Sequence, residues 1–259
     1  MTSQVPFVRV ERRGATARVF LDRPPLNLMV PEMLEGIGAA FATLRADTTV
    51  RAAVVTGSGR LFTGGMQLQV LREFTPAQAK AFIQRGHDVI QSVHEAPFPT
   101  VAMLNGHCLG IGFELAMACD LRTAAEEAQM GLPEIRVGIP SVIQAALLPG
   151  LIGPGRAAEF LLTGDSITAR QALEWGLVNR VAPAAELEKV TTALVERIVE
   201  CAPTAVRLQK ELIIRWRNTD LPTAIAYGVN ALAQAYATDE PREAMQAFLE
   251  KRPPRFGGR

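Results

Sequence analysis

Between Asn105 and Asp120 the chain reads Asn-Gly-His-Cys-Leu-Gly-Ile-Gly-Phe-Glu-Leu-Ala-Met-Ala-Cys-Asp, and this stretch constrains the fold more than any other. A strand-like run, Thr100–Leu104, leads into three glycines within seven residues, after which an apolar helix begins. A helix that is apolar on every side has to be buried, so the segment belongs at the centre of the molecule. One carboxylate, Glu114, goes in with it. An unpaired buried carboxylate is costly, or its pKa rises. Glu114 therefore either pairs with an arginine or titrates at a raised pKa. The glycine loop ahead of it suits the binding of negative charge by free helix N–H groups. Its spacing, Gly-x3-Gly-x-Gly, is not that of a dinucleotide-binding loop, and no Gly-Lys-Ser/Thr follows to make a phosphate loop.

Around this centre, strand and helix signals alternate. Short, partly β-branched runs predict strands at Phe7–Val10, Ala17–Leu21, Ala52–Thr56, Thr100–Leu104, Leu121–Ala124 and Val178–Val181. Pro31 suits the first turn of a helix over Glu32–Arg45. Thr75-Pro76-Ala77-Gln78 joins an N-cap, a first-turn proline and a capping-box glutamine, and predicts a helix to about His94. Thr168-Ala169-Arg170-Gln171 repeats the signal for a short helix ending near Gly176. Such alternation predicts an α/β fold. Beyond about Ala184 the strand signals stop. Helices are expected near Ala185–Glu200, Thr204–Arg217, Leu221–Tyr236 and Pro241–Lys251, and then a tail, Arg252–Gly258, whose prolines and glycines end regular structure.

Composition narrows function by exclusion. Lys and Arg number 27 against 26 Asp and Glu, a net charge of +1, so no whole-chain field draws nucleic acid or anionic lipid. Cysteines 108, 119 and 201 contain no CxxC pair, and with three scattered histidines they offer neither a disulfide framework nor a zinc site. No metal is expected. The N-terminal residues lack the apolar core of a signal peptide, and the most apolar stretch, Cys108–Cys119, is too short to span a bilayer. The expectation is a soluble cytoplasmic protein without membrane or nucleic-acid partners.

Two further segments can carry chemistry. In Leu61–Leu68, reached from a strand through Gly57-Ser58-Gly59, the adjacent Gly64 and Gly65 let backbone approach a ligand closely, although they also suit a plain turn. In Gly131–Ser141, Pro133 and Pro140 bracket an irregular segment holding Glu134 among apolar neighbours; taken alone it reads as a surface carboxylate. His87 and His94 share a helix face without a third ligand, His107 reads as structural, and Trp175 and Trp216 read as packing.

Taken together, these segments resemble the crotonase, or enoyl-CoA hydratase/isomerase, family. Phe-x-x-Gly-x-x-Leu at Phe62–Leu68 is similar to its first oxyanion motif, and Asn105–Asp120 to its central signature. Pro133-Glu134 falls where the family places a second glutamate, and Leu162-Thr163-Gly164, Ala172 and Gly176-Leu177-Val178 follow its downstream pattern. The likeness runs from about Val8 to Arg252. It implies a spiral of ββα units over residues 1–195 with a helical C-terminal trimerisation region over 196–259, assembling as homotrimers or homohexamers.

By the same resemblance the substrate is an acyl-CoA thioester, and no cofactor is needed because CoA comes with the substrate. The backbone N–H groups of Met66 and Ile111 would hold the developing enolate oxygen. Glu114 would take a proton from water attacking Cβ, and Glu134 would protonate Cα, with one of the two carboxyl groups raised in pKa by the other. CoA would bend over Arg23, Pro24 and Leu26 and along Gly64 and Gly65, with Gly110 and Ser141 also lining the site. Phe248 and Lys251 would contribute near the nucleotide end. Three departures from the family pattern bear on the acyl pocket. Met66-Gln67 replaces a common Ala-Asp, Ile111 replaces a usual glycine, and Ile139–Gln144 stands, one residue shorter, where hydratases carry a glycine-rich turn. Hydration of a 2-enoyl-CoA is the expected reaction. Isomerisation, decarboxylation or thioester hydrolysis on the same scaffold is the rival reading, and a non-catalytic relative a third.

Overall fold

A computed structural model describes residues 2–5 and 7–256; Gly257 and Gly258 of the expected irregular tail lie outside them. The chain opens with β1 (Thr2–Val5), β2 (Val8–Arg13) and β3 (Thr16–Leu21), then α1 (Pro31–Ala46), β4 (Ala52–Gly57), α2 (Leu68–Leu71) and α3 (Pro76–His94). β5 (Thr100–Leu104), β6 (Cys108–Leu109), α4 (Ile111–Ala118), β7 (Leu121–Ala125) and β8 (Gln129–Gly131) follow. Two 3-10 turns, Pro133–Val137 and Gln144–Leu147, precede α5 (Leu148–Ile152), α6 (Pro154–Thr163), β9 (Ile167–Thr168), α7 (Ala169–Glu174) and β10 (Arg180–Ala182). The chain closes with α8 (Ala184–Val199), α9 (Pro203–Trp216), α10 (Leu221–Ala235) and α11 (Glu240–Leu249).

The main sheet runs β1-β2-β3-β4-β5-β7-β10. Its first three strands form an antiparallel meander, and β3, β4, β5, β7 and β10 pair in parallel. β4 and β5 are buried at every position, which is why they read as continuous apolar runs and not as alternating ones. Their C-terminal ends lie on one edge with those of β3 and β7. The segments leaving that edge, 22–28, 58–67 and 105–110, carry the glycine turns, and this is where open parallel sheets place their ligands.

Local chemistry explains the helix boundaries. Thr75 and Thr168 both form the expected capping boxes with Gln78 and Gln171. Helix α4 is pinned at its C-terminal end by Arg122, which is almost fully buried and donates to the carbonyls of Cys119 (2.8 Å) and Leu177. A cation there favours the helix dipole and satisfies end carbonyls. His94 adds a contact from Nδ1 to the Ala118 carbonyl. The pinned C-terminus leaves the N-terminus of α4 at the glycine loop as the free end.

Three features differ from the sequence expectation. Val178 and Asn179 precede the last strand; the Asn179 N–H donates to the Arg122 carbonyl while its side chain, not its own carbonyl, accepts from the Arg122 N–H. A second sheet, β6-β8-β9, links strands of two and three residues, too short to show a period in the sequence. β1, α2, α5 and α6 are likewise additions. Among the described residues no helix is long and apolar enough to cross a membrane, and no group of three His, Cys, Asp or Glu side chains could hold a metal.

Helix α8 lies on the sheet through buried Leu187, Thr191 and Val195, and α9 is tied to the α4–β7 junction by the buried Lys210, 2.9 Å from Asp120. Helix α10 packs on α9 but leaves Leu221, Ile225, Val229, Leu232 and Tyr236 exposed along one side.

Candidate active site

The 58–67 segment is fastened before it turns. Asn27, fully buried, donates from Nδ2 to the carbonyls of Ser58 (2.9 Å) and Leu61 (2.8 Å) and accepts from the Arg23 N–H. Thr63 donates to the Asn27 carbonyl and accepts from the Gly65 N–H. Backbone bonds between Thr63, His107 and Leu109 then lash this turn to the loop after β5. His107 accepts from the Gln129 N–H, which bears out its structural reading.

The two glycine turns meet. Both Gly65 and Gly110 have positive φ, and a Cβ on Gly110 would lie 3.6 Å from Gly65 Cα. A Cβ on Gly65 would come 3.2 Å from the Leu109 carbonyl oxygen, closer than an ordinary contact. Gly112 is as tightly held, since a Cβ there would sit 1.9 Å from Thr63 Cγ2. The residues that follow these close-packed glycines are Met66 and Ile111. Among the described residues, neither of their amides donates a hydrogen bond within the protein. Two unengaged N–H groups on converging turns are the arrangement that binds an oxyanion.

Glu114 stands one turn into α4 and is 3% exposed. Among the described residues no arginine meets it. Its Oε1 accepts from the Ala145 N–H at 3.0 Å. Burial raises its pKa to about 7, the backbone N–H of Ala145 opposes the rise, and the charge of Glu134 adds to it. Glu134 comes from the first 3-10 turn, is half-buried, and reaches the same place: a Cβ on Gly110 would lie 3.0 Å from its Oε1. The Ser141 hydroxyl donates to Glu134 Oε2 at 2.7 Å, so Ser141 orients this carboxylate. A carboxyl of pKa near 7 beside a second carboxylate provides both a proton acceptor and a proton donor near neutral pH.

The remaining candidates divide. Arg23 lies beside the Gly64 turn, donating to the Leu28 carbonyl and to Gln67 Oε1 (2.9 Å), so the glutamine that replaces a common acid still meets the arginine. Leu26 is exposed, its carbonyl accepts from the Gly64 N–H, and Pro24 is exposed beside it. These residues form a lip on the oxyanion side. Phe248 and Lys251, at the far end of the chain, are not brought into this cluster; Phe248 is 84% exposed at the end of α11. Trp175 packs on the core, and Trp216 is partly exposed with its indole N–H on the Ala224 carbonyl. One neighbour escaped the sequence reading. Gln144 is buried beside the segment that holds Glu114, and a single glutamine between Ile143 and Ala145 carries no signal of it.

Comparison with known proteins identifies the family. The family described as enoyl-CoA hydratase/isomerase matches residues 11–259. A short-chain-enoyl-CoA hydratase of Clostridium acetobutylicum is 34% identical, covering 95% of each chain. A crotonyl-CoA hydratase of Syntrophomonas wolfei is 34% identical over 95% of this chain and 96% of its own. The crystal structure of an enoyl-CoA hydratase from Bacillus anthracis superposes with a TM-score of 0.94 at 32% identity, covering 98% of this chain and all of that one.

Proposed function

This chain belongs to the enoyl-CoA hydratase/isomerase family, and we propose that it adds water across the double bond of a 2-enoyl-CoA thioester. One observation carries the reading: Glu114 and Glu134 stand together beside two converging turns whose next amides, Met66 and Ile111, are unengaged among the described residues. The thioester oxygen sits between those amides. As water adds to Cβ, charge moves onto that oxygen, where fixed donors favour it more than in the ground state. Glu114, as the carboxylate, accepts the proton of the attacking water; Glu134, as the carboxylic acid aligned by Ser141, gives its proton to Cα, and passage of a proton from Glu114 to Glu134 restores the pair. Atoms balance as water added across one double bond, with no cofactor beyond the CoA of the substrate.

CoA lies over Arg23, Pro24 and Leu26 and along Gly64 and Gly65. Phe248 and Lys251 reach a nucleotide end only in an assembly, and the exposed apolar side of α10 favours a homotrimer or homohexamer built through residues 196–259. The working compartment is the cytoplasm. The test is the loss of conjugated enoyl-thioester absorbance on adding crotonyl-CoA. The native protein removes the signal and Glu114→Gln and Glu134→Gln do not; full activity in both variants sinks the two-glutamate mechanism.

A further inference from the structure

The amides and carboxylates define where the thioester and Cβ lie, but not where the acyl chain ends. Gln144 is 5% exposed and belongs to the segment whose next residue holds Glu114. Its side chain crosses to α3, where Nε2 lies 3.3 Å from His87 Nδ1 and donates to Gln91 Oε1 at 3.4 Å. Its own Oε1 is buried without a partner among the described residues. Ile111, also 5% exposed, reaches the neighbouring position on the same helix: a Cβ on Gly86 would lie 3.3 Å from Ile111 Cδ1. The residue whose amide faces the thioester oxygen and the loop that holds Glu114 thus both send buried side chains to Gly86 and His87.

A thioester seated between the two amides sends CoA toward the lip at 23–26, so its acyl tail runs past the carboxylates in the other direction. We infer that Ile111, Gln144 and His87 close the acyl chamber with a polar back wall, that the enzyme acts on short-chain 2-enoyl thioesters, and that Gln144 is the residue setting this limit. The inference rests on the hydratase reading above. A longer alkyl tail has to push aside the buried Gln144 carboxamide and leave its N–H groups without partners, and an apolar chain does not restore them. A short tail stops before the wall.

The test compares kcat/KM for crotonyl-CoA and trans-2-decenoyl-CoA in the native protein and in Gln144→Ala and His87→Ala. The native ratio is expected to favour crotonyl-CoA by roughly 100-fold, and Gln144→Ala to narrow it at least about tenfold, mainly through the KM of the longer substrate. His87→Ala narrows it less. A native protein equally active on both substrates overturns the wall, as does a ratio that neither variant moves. A native protein inert toward both overturns the hydratase reading instead. Should Gln144→Ala fail to fold, Gln144→Met, similar in length but without donors, reads the same ratio.

Discussion

Helix α4 and the 133–145 segment each deliver one glutamate to the same place, and they do so on opposite kinds of scaffold. The helix is buried at every position and pinned at its end by Arg122. The segment is made of 3-10 turns and irregular backbone, with Ile135, Val137, Ile139 and Val142 exposed. The same side chain acquires two characters. Glu114, dry and held by a main-chain N–H, is pushed to about pKa 7; Glu134, half-buried, is steadied by a serine hydroxyl. Burial and hydrogen bonding, not residue type, set a carboxyl group's chemistry. On the proposed mechanism the buried helix carries the group whose protonation is tuned, and the partly exposed segment carries its partner.

The sharpest way to break this comparison is to neutralise each glutamate. Glu114→Gln and Glu134→Gln should each lower kcat about 10²–10⁴-fold, the range for loss of a positioned acid or base, measured at saturating crotonyl-CoA. Because Glu114 must be ionised to take a proton from water, native kcat/KM should fall as the pH drops below about 7. A profile without that acid limb would remove Glu114 as the base.

Stability sharpens the same contrast. A folded-state pKa of about 7 against an ordinary 4.5 means that the neutral form is favoured on folding. That contribution is fully present below about pH 4.5 and is lost as the pH rises through about 7, amounting to about 3 kcal/mol. Glu114→Gln should therefore melt above the native protein at about pH 9, with the gap closing toward about pH 5. Equal melting temperatures at both ends would contradict the burial argument.

The packing that joins the two turns gives a smaller effect. Gly112→Ala places a methyl group 1.9 Å from Thr63 Cγ2, and overpacking of this kind costs about 1–3 kcal/mol. Activity should fall with stability, since Thr63 also holds the Gly65 amide. Smallest is Ser141→Ala. Losing one hydrogen bond to a carboxylate that keeps access to water should lower kcat by roughly tenfold or less, and a loss as large as that of Glu134→Gln would make the serine a direct participant.

Much of this was legible in the sequence. An apolar helix with one carboxylate can only be buried, so the placing of α4 and the importance of Glu114 followed from residue types. The capping boxes at Thr75 and Thr168 marked helix starts because each is a short-range hydrogen-bond exchange. The small sheet was not legible, as strands of two or three residues have no period. Nor was the partner of Glu114. An arginine was the alternative the residues allowed, but the donor is the N–H of Ala145, and any residue but proline offers the same group. Gln144 was hidden for a related reason: its burial depends on α3, more than fifty residues earlier in the chain.

Periodicity, glycine placement and the lone buried acid pointed to the α/β body and to Glu114, because those signals act over a few neighbouring residues; the family and the candidacy of Glu134 came from the resemblance of whole motifs. The meeting of the Gly65 and Gly110 turns, the raised pKa of Glu114 and the wall behind it came from packing. Each depends on distances between segments far apart in the chain, and main-chain donors carry no mark of residue identity.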